Sequence, residues 1–240
     1  MEAPEFGQNP PTAPAGISRR EFLTVCTAAA AAVGLPAWAA EKMVETVGKR
    51  RAGVVWLHFQ ECTGCTESLL RTSHPDVGTL ILDLVSLDYH ETLAAPSGQQ
   101  LEEVLHGAIA AGGHVLVVEG AIPRRDGGIY CKVGGRTAVE LLTECARGAA
   151  AVICIGSCAS WGGIPSADPN PTDAVGAPSI LKEHGIAKPV VTLPGCPANP
   201  YNLLGTVLQF VTFGTLPRLD DQGRPIKGIP RHPIVEDDVT

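Results

Sequence analysis

Aromatic side chains are scarce in this sequence, at 5 % of residues, and charge is thin, at 18 %. The net charge of -7 is spread along the chain rather than gathered in a block. No basic face is therefore available to grip a phosphate backbone, and nucleic acid is not an expected partner. No internal repeat is visible. Beyond residue 40, no run of roughly 18 apolar residues escapes a charge, so that part of the chain is expected to carry no membrane span of its own. After Pro197 there is no cysteine and only one histidine, His232. Against these absences stand 45 % hydrophobic residues, enough for the core of one domain of about 150–200 residues with appendages. Glycine (27) and proline (20) are plentiful, which marks tight turns and shaped loops.

The first 18 residues, rich in Pro, Gly and Ala, lead into Ser18-Arg19-Arg20-Glu21-Phe22-Leu23, the pattern of a twin-arginine signal. A mildly apolar stretch from Phe22 to Leu35 follows, then Pro36 and the small-residue triplet Ala37-Trp38-Ala39, which fits a processing site near Ala39 or Ala40. Residues 1–40 are accordingly expected to be a signal peptide outside the fold. The chain is expected to be exported already folded, to the periplasm or the outer face of the cytoplasmic membrane. The bland alternative for the same residues is a buried Ala-rich helix with two surface arginines. The twin-arginine route suits a protein that takes up a cofactor before export, and gives the cysteines a context other than disulfides.

Along the rest of the chain, apolar runs and helical periods alternate. Gly53 to Phe59 reads as a buried strand, followed by a turn at Glu61 to Gly64 and a helix over about 66–73. An apolar run at 79–87 precedes a helix at about 100–111. Further strands are expected at His114 to Glu119, Ala150 to Gly156 and 189–193, and further helices at 137–147, 179–184 and 199–212. A Gly/Pro-rich loop is expected from Ser157 to about Pro178, and a tail from about Leu216 to Thr240. Such alternation predicts an α/β fold, a flavodoxin-like doubly wound parallel sheet with helices on both faces. Binding loops in such sheets gather beyond the carboxyl ends of the strands. Cys62 and Cys65, Glu119, Cys158 and Cys196 all follow strands there.

Eight cysteines have to be sorted. Cys26 lies in the signal. Cys145 and Cys154 fall in a helix and an apolar strand, where thiols behave as small core residues. Cys131 sits in a Gly-rich segment and is unassigned. The remaining set is Cys62-Thr63-Gly64-Cys65, Gly156-Ser157-Cys158 and Pro194-Gly195-Cys196-Pro197, each next to glycine or in a tight turn, where backbone can approach a bulky cofactor. Four thiolates suit zinc or an iron-sulfur cluster, and a Cys-Pro pair recurs in cluster-binding ferredoxins. Three other readings compete with a cluster. A thioredoxin-like CxxC would leave Cys158 and Cys196 without a role. Structural zinc usually draws its ligands from two short knuckles. A pair of disulfides would leave the export route without a motive.

At this point the motifs resemble the small subunit of nickel-iron hydrogenases. Besides the twin-arginine pattern, they are Trp56-Leu57-His58-Phe59-Gln60-Glu61-Cys62-Thr63-Gly64-Cys65-Thr66-Glu67-Ser68, Val118-Glu119-Gly120-Ala121-Ile122-Pro123, the segment from Gly156 through Cys158 to Pro165, and Pro194-Gly195-Cys196-Pro197, in the family's order. The resemblance implies that Cys62, Cys65, Cys158 and Cys196 ligate a proximal [4Fe-4S] cluster. That cluster would relay electrons between a NiFe centre, held by a separate hydrogenase large subunit, and an acceptor such as a cytochrome. It further implies roles for Glu61, Thr63 and Glu119 at the subunit interface or in hydrogen-bond networks around the cluster. Oxygen-tolerant relatives carry two extra cysteines at positions that align with Gly64 and Gly163, so an ordinary, oxygen-sensitive cluster is implied here.

One departure from the family stands out. Past Leu216-Pro217-Arg218-Leu219-Asp220-Asp221-Gln222-Gly223-Arg224-Pro225, the residues supply no ligands for the family's second cluster domain, which is therefore expected to be missing. The expected organisation is thus a signal peptide (1–40), a flavodoxin-like proximal-cluster domain (41–215) and a tail (216–240), with the C-terminal iron-sulfur domain missing. Two alternatives are kept open. One is a truncated product that conducts no electrons onward. The other is the related cluster subunit of respiratory complex I, which characteristically carries adjacent cysteines and lacks an export signal.

Overall fold

The computed structural model describes residues 19–32, 34–36, 38–47, 52–73 and 85–226. Five strands form one sheet: β1 (Ala52–His58), β2 (Val85–His90), β3 (Val115–Glu119), β4 (Ala151–Ile155) and β5 (Val190–Leu193). Their order is β2-β1-β3-β4-β5, and every neighbouring pair is parallel. That is the flavodoxin-like order the alternation predicts, with its topological switch point between β1 and β3. The central strands β3 and β4 are buried at every residue, as parallel strands covered on both faces must be.

Strand periodicity divides the core in two. Val54, Trp56, Val115, Val117, Ile153 and Ile155 point to one face. Val55, Leu57, Leu116, Val118, Val152 and Cys154 point to the other. The helices are α1 (Arg19–Ala32), α2 (Trp38–Val47), α3 (Gly64–Leu70), α4 (Gln99–Ala111), α5 (Ala138–Gly148), α6 (Gly156–Trp161), α7 (Ala177–Glu183) and α8 (Pro200–Phe213). Helices α3 and α8 cover the first face, and α4, α5 and α7 cover the second. Local signals start two of them. Thr137 and Glu140 form a reciprocal capping box at α5, and the Asn199 side chain accepts from the Tyr201 amide before Pro200 at α8. Cys145 and Cys154 are fully buried core residues, as expected; Cys131 is half-buried against the second core.

Four expectations need correction. Helix α3 begins at Gly64 rather than near residue 66, because Glu119, on a neighbouring strand, caps its first turn (below). The second strand lies at Val85–His90; residues 79–84 of the run placed there lie outside the described residues. The segment expected to be one loop from Ser157 holds α6, a 3-10 turn at Ile164–Ser166, and a short strand Ala174–Val175 that pairs with Ile122–Pro123. Residues 216–226 do not hang free. The Thr192 amide donates to the Gly223 carbonyl at 2.9 Å, and Asp220 accepts from the Gln222 and Arg224 amides. Residues 227–240 lie outside the described residues.

The N-terminal segment differs most from its expectation. Helices α1 and α2 pack on α8, burying Cys26, Ala29, Ala30, Ala39, Ala40 and Met43 in the first core. The physical reason lies in α8, whose sequence Pro-Tyr-Asn-Leu-Leu-Gly-Thr-Val-Leu-Gln-Phe-Val-Thr-Phe contains no charged residue. A long helix with no charged side presents no face made for water, so its outer side is covered as well as its inner one. Among the described residues, no helix is long and apolar enough to cross a membrane.

Candidate metal centre

The four sequence-predicted cysteines come together at the carboxyl rim of the sheet. Cys62 and Cys65 follow β1 and enter α3, Cys158 lies in α6 just after β4, and Cys196 follows β5. Hydrogen bonds tie these loops to one another. The Ser157 amide donates to the Gly195 carbonyl at 3.0 Å, the Gly195 amide donates to Ser157 Oγ at 3.2 Å, and Ser68 Oγ donates to the Ala198 carbonyl at 3.0 Å. Cys65 lies within electrostatic reach of Cys158 and Cys196, and Cys158 within reach of Cys196 and Cys62. All eight cysteines are free thiols, so the two-disulfide reading finds no pair. Among the described residues, no three His, Cys, Asp or Glu side chains converge tightly enough for one metal ion.

Glycine backbone lies hard against two of the four sulfurs. A Cβ at Gly156, where φ is +82°, would lie 2.6 Å from Cys65 Sγ. One at Gly163, where φ is +52°, would lie 2.8 Å from Cys158 Sγ. A side chain at either position would press on a thiol, and at Gly163 on the Cys158 backbone as well, so glycine there leaves two of the four sulfurs unobstructed, which fits a cluster. The Ala198 and Ile164 backbone amides lie toward Cys65 and Cys158 and offset part of the effect of burial on their thiols. Burial pushes the Cys65 thiol up to about 12, so a thiolate at this position needs a cation against it.

Behind Cys65 lies a buried polar network that sequence reasoning mostly missed. Glu119, 2 % exposed at the end of β3, accepts from the Cys65 amide at 3.0 Å and the Thr66 amide at 3.3 Å with Oε1. Its Oε2 accepts from Thr66 Oγ1 at 2.7 Å and Trp56 Nε1 at 3.2 Å, and lies 3.4 Å from His58 Nε2. Thr63, the residue before α3, gives the helix no side-chain cap, so the Glu119 carboxylate caps it from another strand. His58 Nδ1 in turn sits 2.6 Å from Glu91 Oε2. His90, fully buried, accepts from the Leu93 amide at 3.2 Å with Nδ1, which leaves its proton on Nε2, toward Thr66.

Electrostatics assign the charges. Burial opposes protonation of His58, but Glu119 and Glu91 outweigh it and raise the imidazole to about 9, so His58 is a cation at neutral pH. Burial and the neighbouring His58 hold His90 down at about 3, hence neutral. Burial would raise Glu119, yet its bonds to His58 and Thr66 bring it below the usual carboxylate range.

Glu61 and Thr63 meet each other rather than this network: Thr63 Oγ1 donates to Glu61 Oε1 at 3.3 Å. Burial and the charge of Glu119 raise the Glu61 carboxyl, and its Oε2 has no hydrogen-bond partner among the described residues. Thr63 holds φ at +63°, a strained conformation for a β-branched residue, between the first two cysteines.

Two outcomes follow for the network. Glu119→Ala leaves His58⁺ with Glu91 alone and strands four donors in the interior, and is expected to cost about 3–5 kcal/mol in chemical denaturation. The raised His58 pKa adds stability that is complete below about pH 6.5 and lost as pH rises through about 9. The stability gap between the chain and its His58→Gln variant should therefore shrink across that window. A gap that stays constant contradicts the charge assignment.

Comparison with known proteins adds to this geometry. A family profile described as "NADH ubiquinone oxidoreductase, 20 Kd subunit" matches residues 62–210. The chain is 49 % identical over 213 residues to the Hydrogenase-2 small chain of Escherichia coli, covering 88 % of this chain and 56 % of that one. It is 46 % identical over 213 residues to the Periplasmic [NiFe] hydrogenase small subunit 1 of Nitratidesulfovibrio vulgaris, covering 88 % and 67 %. Among solved structures, the reduced, active Ni-Fe-Se hydrogenase of Desulfomicrobium baculatum superposes with a TM-score of 0.71 at 35 % identity, over 73 % of this chain and 70 % of that one. The chain thus spans little more than half the length of its Escherichia coli relative. Identity, coverage and a shared sheet topology together place it: the chain belongs to the small-subunit family of nickel-iron hydrogenases.

Proposed function

We propose that this chain is the electron-transfer subunit of a nickel-iron hydrogenase, and that Cys62, Cys65, Cys158 and Cys196 hold a proximal [4Fe-4S] cluster. The observation that carries the reading is the convergence of these four thiols on one rim with glycine backbone in front of them. When bound, the cluster supplies one-electron transfer between the NiFe site of a large subunit and an acceptor such as a cytochrome. The chain's own residues position and tune. Glu119 fixes the Cys65 and Thr66 amides, and thereby the direction of the Cys65 side chain. The backbone amides of Ala198 and Ile164 lie toward Cys65 and Cys158, and amide dipoles so placed favour the reduced, more negative state.

The rim also carries a surface suited to the large subunit. Trp161 and Ile164, next to Cys158, are 45 % and 79 % exposed, and a partner covering them would exclude water from the cysteines. The motif at Arg19-Arg20 supports export of the folded chain, leader attached, to the periplasm or the outer face of the cytoplasmic membrane.

Cys196→Ser, co-expressed with the large subunit and purified without oxygen, is expected to lose the proximal cluster's iron and hydrogen-dependent dye reduction together. Full iron content in that variant contradicts the ligand assignment. Gly64 and Gly163 give a second outcome. A Cβ at Gly64 would lie 3.1 Å from Cys62 Sγ, and Gly163 has the left-handed backbone noted above, so neither position offers an extra sulfur. Potentiometry of the complex should show a single one-electron step at the proximal site and inactivation by oxygen; two closely spaced steps there would contradict an ordinary cubane.

A further inference from the structure

The N-terminal segment is built, not merely laid against the domain. Helix α1 closes with a Schellman motif: the Leu35 amide donates to the Ala30 carbonyl at 2.8 Å and the Gly34 amide to the Ala31 carbonyl at 3.1 Å, with Gly34 at φ +74°. Leu35, the residue after that glycine, packs on the first core, which fixes the direction in which the chain turns. The turn returns the chain as α2, whose start is pinned by the Ala39 amide donating to the Pro36 carbonyl at 2.9 Å. The Trp38 ring stands edge-on to Phe213 at the end of α8, with centroids 5.9 Å apart. Both helices thus lie on the uncharged outer face of α8.

We propose that helices α1 and α2 form a folded cap on α8 in the precursor, and that the cap hides the processing junction at Ala39 and Ala40 until it lifts. The inference rests on the leader reading given above. Peptidases bind the bond they cut as an extended, accessible strand, whereas Ala39 and Ala40 are helical and 0 % and 1 % exposed. Hydrolysis of that bond by a signal peptidase therefore requires α2 to leave α8 and unwind first. The leader is in this way held back by the domain it will export, and cutting is coupled to undocking. The cap also meets a need of the domain. Until it is removed, it covers apolar surface of α8, Phe213 beneath Trp38 included, that would otherwise face water during folding and cofactor uptake.

The test uses the full-length chain. Amide hydrogen exchange within residues 27–31 and 41–43 is expected to run on the order of 100-fold slower than in the free 1–50 peptide. The Phe213→Ser/Leu216→Ser double variant alters only partly buried residues outside the leader. It should speed exchange in both helices by roughly tenfold, since a loss of about 1.4 kcal/mol at the contact corresponds to that factor. It should also speed cleavage by purified signal peptidase by a similar factor. Leader amides that exchange at the free-peptide rate overturn the cap, and if the same chain is still cut near Ala39 the leader reading survives alone. A protected segment that cells never remove, seen as an intact N-terminus by mass spectrometry of the exported complex, overturns the leader reading and the hidden junction with it. Protected amides with cleavage unaffected by the double variant overturn the coupling.

Discussion

Glu119 brings a negative charge to the interior end of β3, where it is 2 % exposed, and the rim is organised around that carboxylate. A buried carboxylate is tolerated only where donors and a counter-charge satisfy it. Here the donors are the Cys65 and Thr66 amides, the Thr66 hydroxyl and the Trp56 indole, and the counter-charge is His58. Satisfying Glu119 therefore fixes the first turn of α3 against β1 and β3 at once. That turn carries Cys65. The sheet's switch point, the helix start and the ligand position are one constraint, seen at three scales.

The other cysteines are located by loops that this constraint anchors. Gln60 and Ala121 bridge the exits of β1 and β3, and Arg124 just beyond bonds Asp173 at 2.9 Å and Glu183 at 2.6 Å, holding the segment after α6 in place. Ser157 and Gly195 exchange two hydrogen bonds between the Cys158 and Cys196 loops. Positioning of this kind by a rigid scaffold is what an electron carrier needs, because its potential follows amide dipoles and burial that must not shift between redox states.

Much of this was legible in the sequence, and the reasons differ by element. The apolar runs of β1, β3 and β4 and their spacing against helical periods announced a parallel sheet, and the four motif cysteines fell after strands in the right order. Strand β2 was less legible because Ser86, Asp88 and His90 break its hydrophobic run, as suits an edge strand. Helix α6 was hidden by its glycine start: Gly156 at φ +82° turns the chain out of β4, and a glycine there reads as a loop. His58, His90 and Glu91 escaped notice because a lone histidine in an apolar run usually signals nothing. The available clue was period two, which puts Trp56 and His58 on one face, shortly before the first cysteine pair's turn. The docking of α1 was legible only in part, from the bland reading of an Ala-rich buried helix. The missing piece was α8, whose lack of any charge demanded a cover on its outer side.

The central claim is that these four thiols hold one iron-sulfur cluster beside a partner's nickel. It is tested most directly by iron, acid-labile sulfide and nickel content of this chain co-expressed with its large subunit and purified without oxygen. The account predicts about four irons and four sulfides on this chain for its one assigned site, with nickel confined to the partner. Zinc in place of iron, or a metal-free chain with its thiols oxidised, would contradict it while leaving the parallel sheet and its buried carboxylate in place.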